Sequence, residues 1–85
     1  MKPSENQIQR TITLLDKKLL SLQARNTEET PLQEGLQEAL SILLDGRTSY
    51  ASIPSMKSRQ GRAIALLTID YMNGVCEQST LLKAT

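Results

Sequence analysis

Isoleucine and leucine recur at Ile8, Ile12, Leu15, Leu19 and Leu22, spaced four, three, four and three residues apart. A repeat of about 3.5 residues belongs to a helix with one continuous apolar seam. Leu14 and Leu20 fall off that seam and widen the apolar face toward a second neighbour. The spacing predicts a helix over residues 5–25. "SENQ" marks its start: Ser4 is placed to accept from the first-turn amides, and Gln7 to reach back to Ser4 in a capping box. Fraying is expected near Ala24 to Asn26.

A second helix is predicted over 31–45, from "TPLQEGLQEALSILLDG". Thr30 suits the cap, Pro31 the first helical position, and Gln33 a second capping box. Glu28, Glu29 and Glu34 favour the positive end of the helix dipole. Leu32, Leu36, Ala39, Leu40, Leu43 and Leu44 form one broad apolar stripe, and Gly46 reads as a left-handed terminator. After the break "GRTSYASIPS", Ser55 behind Pro54 is the expected cap of a third helix over 55–73, which "NG" stops. Within "AIALLTIDYM" only Thr68 and Asp70 are polar, so this helix is apolar on nearly all sides. The tail 74–85 reads as a short fourth helix using Val75, Leu81 and Leu82, or as loose chain.

Packing these segments requires a core without large rings. Fourteen Leu and six Ile stand against one Val, no Phe and no Trp, with Tyr50 and Tyr71 the only aromatic residues. That is the palette of helices rather than sheets. The fold class expected is all-α: a single domain, 1–85, built as a small antiparallel three-helix bundle. A chain of 85 residues has a marginal core. One copy has difficulty covering both the α-helical seam at Ile8, Ile12, Leu15, Leu19 and Leu22 and the apolar girdle of the third helix. Homodimerisation through helix packing at that seam is therefore the expectation.

Chemistry is constrained by what the composition lacks. There is no His, so the usual base for a Ser or Cys nucleophile and the commonest transition-metal ligand are missing. Cys76 is alone, which excludes an intrachain disulfide and fits a reducing interior; it reads as a packing residue. Glu34 and Glu38 are one helical turn apart but fall beside the Leu stripe, where a solvated surface explains them. Gly35, Gly46, Gly61 and Gly74 are scattered and make no phosphate loop. The chain reads as a non-enzyme with no catalytic, cofactor or metal site. No stretch has the roughly 18 apolar residues that span a bilayer, so a cytoplasmic location without a membrane partner is expected.

Charge is segregated. Residues 1–45 carry five basic and seven acidic side chains, whereas residues 46–69 carry Arg47, Lys57, Arg59 and Arg62 with no acid. Placed in the first two turns of the third helix, Lys57, Arg59 and Arg62 oppose the helix dipole, and an anionic partner would relieve that opposition. Arg47, Lys57, Arg59 and Arg62 are thus the candidate contacts for an anion or an acidic protein partner. A nucleic-acid-associated regulator using residues 47–62 is the alternative. Two features weigh against it: single-strand binders need aromatic platforms, and the gap after Gly46 is too long for a helix-turn-helix.

Two short stretches carry likenesses to known families. "TPLQEG" resembles the inhibitory signature of Fic-domain antitoxins, a Ser or Thr followed four residues later by Glu and then Gly or Asn. The resemblance implies that Thr30, Glu34 and Gly35 are the matching positions, with the Glu tying up an arginine in a toxin's nucleotide pocket and blocking productive ATP binding. "LQEALSILLDGR" is similar to the helix end of small connector proteins that modulate two-component signalling and biofilm regulators. From the residues themselves, the function expected is that of a regulatory, adaptor-like protein acting through helix–helix contacts with itself and with an unidentified protein partner.

Overall fold

Four α-helices and one 3-10 helix account for most of the computed structural model, which describes residues 3–26 and 28–85. They are α1 (Glu5–Arg25), α2 (Pro31–Leu44), the 3-10 helix Tyr50–Ser55, α3 (Arg59–Met72) and α4 (Gln78–Lys83). No strand occurs among the described residues.

The helix ends follow local chemistry. At α1 the Ser4 hydroxyl accepts the Gln7 amide at 3.1 Å, half of the expected capping box. At α2 both halves form: Thr30 Oγ1 accepts the Gln33 amide and Gln33 Oε1 accepts the Thr30 amide, each at 3.2 Å. Pro31 sits at the first helical position, where it loses no intrahelical bond. Gly46 and Gly74, at φ of 75° and 76°, end α2 and α3 in the left-handed conformation. The amides beyond them bond back to the Ile42 and Asp70 carbonyls.

The start of α3 is a correction. The helix begins at Arg59, four residues later than the expected 55, and Ser58 rather than Ser55 caps it, accepting the Gly61 amide at 3.0 Å. Residues 50–55 form the 3-10 helix instead, with Pro54 inside it, and Met56 is extended at φ −75° and ψ 138°. Ser55 donates to the Ser52 carbonyl at 2.7 Å and so serves the tighter turn.

Helix direction is a second correction. Gly35 of α2 lies against Gln60 and Gly61 at the start of α3. Further along, Ala39 and Leu43 share one small cavity of about 10 Å³ with Ala65 and Ile69. The register advances in the same sense on both helices, so α2 and α3 run parallel, not antiparallel. Residues 45–58 make this possible by returning along the pair. Tyr50 meets Asp70 near one end, Ile53 and Met56 pack with Ile42 and Ala65, and Ser58 reaches Glu38 near the other. α1, by contrast, folds back against α2 as a helical hairpin.

The α2–α3 contact is close because small residues line it. A Cβ on Gly35 would stand 2.7 Å from Gln60 Cβ and 2.9 Å from the Gly61 nitrogen. Ala39 and Ala65, one turn along each helix, are 1 % and 4 % exposed. Around this contact the core gathers Leu15 and Leu19 from α1, Leu36, Leu40 and Leu43 from α2, Ile64, Ile69 and Met72 from α3, and Leu81 from α4. The tail is therefore a short helix whose Leu81 closes the core. Burying such a side chain is worth roughly 1.5–3 kcal/mol.

Candidate interaction surface

The five seam residues face inward on this molecule. Leu15 and Leu19 are buried in the core, and Ile8, Ile12 and Leu22 are half-buried against it. Thr11 on the same face is fully buried and donates to the Gln7 carbonyl at 2.7 Å. The chain's own α2 and α3 thus occupy most of the face assigned to a partner.

The four basic residues are separated, and two are engaged locally. Arg47 lies beyond the end of α2 and covers the small cavity beside Leu43 and Ile69. Lys57 precedes the α3 cap instead of lying in the helix, and it faces an open hollow shared with Glu29, Glu34 and Glu38. Arg62 turns back to donate to the carbonyls of Met56 at 2.9 Å and Lys57 at 3.3 Å. Arg59 is exposed at the first turn of α3. By helical register Arg47, beside Ile69, and Arg59 are about 15 Å apart along α3. The four do not form one anion-binding patch.

The α3 N-terminus is also occupied. Glu38 Oε1 accepts the Ser58 amide at 3.0 Å, so a carboxylate already faces the positive end of the dipole. Glu38 is half-buried, which corrects its reading as a solvated surface residue; Glu34 is exposed. Hydroxyls in the connection make turns: Ser49 accepts the Ala51 amide and Ser55 bonds Ser52. Thr30 and Gly35, two of the antitoxin-like positions, are occupied by the α2 cap and the α3 contact.

Apolar surface remains elsewhere. Leu44 and Val75 are each 69 % exposed, Leu20 58 %, Leu66 46 % and Tyr50 43 %. Leu44, expected on the buried stripe of α2, is instead exposed at the last position of that helix. Val75, expected in the apolar face of the tail, lies outside α4 altogether. Leu44, Tyr50 and Val75 gather at one end of the parallel pair: Leu44 ends α2, Tyr50 bonds Asp70, and the Val75 amide bonds the Asp70 carbonyl at 2.8 Å. Leu66 lies one turn before Asp70 on the same face of α3. Spacing alone could not find this end, since it depends on α2 and α3 running the same way.

Tyr50 is polarised by its setting. Its hydroxyl donates to Asp70 Oδ1. The bond to that carboxylate, with partial desolvation, raises the phenol above its ordinary value of 10.0. Cys76 is half-buried, with Sγ 3.6 Å from the Leu67 carbonyl. No cluster of three potential metal ligands occurs among the described residues. No helix among them is long and apolar enough to cross a membrane. Comparison with protein-family models, with curated proteins and with solved structures gives no match.

Proposed function

We propose that this chain is a small, non-enzymatic helical interaction protein that pairs with a second copy of itself through the end carrying Leu44, Tyr50 and Val75. The observation that supports this reading is the exposure of those three side chains after the chain has filled its own core. A two-fold contact would place the same patch on both sides, so each copy covers the other's excess. The patch is small, so pairing is concentration-dependent rather than obligate. The α1 seam contributes through the fold of each protomer, because Leu15 and Leu19 are already buried there.

Sedimentation equilibrium tests the proposal. From micromolar to millimolar chain, the mass is expected to rise from 9.4 kDa toward twice that value. Leu44→Glu should hold the protein at the monomer mass, while Leu20→Glu, on α1, should leave pairing intact. A mass that stays at 9.4 kDa over the whole range overturns the reading.

A further inference from the structure

The connection between α2 and α3 is fastened differently from the rest of the molecule. No residue of its 3-10 helix, Tyr50–Ser55, is buried. Its backbone bonds are local: the Ser52 amide to Ser49, and the Met56 amide to Ile53. Its apolar hold consists of Ile53 and Met56, which pack on Ile42 of α2 and Ala65 of α3, with Ile53 also reaching the edge of the main core.

Side chains of the helices supply the other fastenings. Asp70 of α3 holds the Tyr50 hydroxyl at one end. Arg62 of α3 holds the carbonyls of Met56 and Lys57, and Glu38 of α2 holds the Ser58 amide at the other. At its near end the segment leaves α2 through Gly46, where the Gly46 and Arg47 amides are bonded to the Leu43 and Ile42 carbonyls, each at 3.0 Å.

We propose that residues 48–57 form a latched strap that opens as a unit while α2 and α3 remain packed. The helices do not need the strap to stay together. Their contact through Gly35, Ala39, Gly61 and Ala65, and the large core behind it, lies mostly outside the strap's apolar site. Within the strap, by contrast, six residues of 3-10 helix have little stability once detached. Opening would uncover Ile42, Ile53, Met56 and Ala65 together, next to the end where Tyr50 already lies. The amount of apolar surface on display would then depend on a side-chain latch. The inference stands apart from the pairing reading, because it concerns opening within one chain.

Native-state thiol labelling tests it. In a Cys76→Ser background, Ala65→Cys places a thiol on α3 under the strap and Ile69→Cys places one in the core. The Ala65→Cys thiol is expected to react well before global unfolding, and the Ile69→Cys thiol only with it. Adding Tyr50→Phe should speed the first about three- to tenfold, as loss of one hydrogen bond predicts, and leave the second unchanged. Equal rates at both positions overturn the proposal, as does a Tyr50→Phe effect that is absent or the same at both. If the Ala65→Cys chain does not fold, hydrogen exchange at the Ser58 amide, which Glu38 of α2 holds, against the Ile69 amide, with and without Tyr50→Phe, reads the same two outcomes.

Discussion

Glu38, in the middle of α2, accepts the backbone amide of Ser58 at 3.0 Å and so caps a helix to which it does not belong. Ser58 in turn accepts the Gly61 amide at 3.0 Å. In a capping box the carboxylate comes from the third residue of the same helix, here Gly61, which has no side chain. The box is completed across the α2–α3 contact. Glu38→Ala should therefore destabilise the fold by about 1–3 kcal/mol in urea titrations, and Ser58→Ala by about 1 kcal/mol. The double variant should lose less than the sum, since each residue orders the same cap. Strict additivity would show that Glu38 and Ser58 act separately.

The two glycines of that contact should respond differently to Ala. At Gly35 the added Cβ meets Gln60 and the backbone of Gly61, neither of which can yield without parting the helices. At Gly61 the closest atom, 2.8 Å away, is Glu38 Oε1, the end of a flexible side chain that can shift at the cost of loosening its bond to the Ser58 amide. Alanine gains about 1 kcal/mol in helix propensity at either position. Gly35→Ala should still lose about 1–3 kcal/mol through overpacking, and Gly61→Ala distinctly less. Equal effects in thermal unfolding would contradict the asymmetry.

Tyr50 should titrate above 10.0, because the Asp70 carboxylate accepts its proton in a hydrogen bond. Ultraviolet titration in a Tyr71→Phe background isolates it, and Asp70→Asn should bring the midpoint down. The native state favours the neutral phenol, so the contact's stabilisation is full below pH 10.0 and is lost as pH rises through the raised native value. An unmoved midpoint in the Asp70→Asn variant would show that the carboxylate is not the cause.

Local signals in the chain carried α1 and α2 to within a residue, because caps at Ser4 and Thr30 and the stop at Gly46 are chemistry of adjacent residues. Residues 55–58 were not legible in that way. Ser55 after Pro54 and Ser58 before Arg59 are both acceptable caps. The choice is made by Glu38 and Arg62, which bind the Ser58 amide and the Met56 carbonyl from outside the segment. Helix direction was missed for a related reason. The break before α3 carries no local signal of direction, and residues 45–58 are long enough to run back along α2, which spans roughly 21 Å. Once α2 and α3 are parallel, the acidic hollow comes to lie beside Lys57, and Leu44 comes to lie at the same end as Val75.

The α1 seam gives the last prediction. Leu15 is fully buried and Leu20, five residues on, is 58 % exposed, although both belong to one leucine-rich helix. Leu15→Ala removes packing against α2 and α3 and should lose about 2–5 kcal/mol, whereas Leu20→Ala should stay within roughly 0.5 kcal/mol. Leu81→Ala belongs with the first, since α4 closes the same core with a side chain that is 0 % exposed. Chemical denaturation repeated over a roughly tenfold range of chain concentration separates this from any contribution of association. If the seam instead served only a partner, Leu15→Ala would leave the dilute monomer as stable as the unmodified chain. The destabilisation would then be seen only at high concentration.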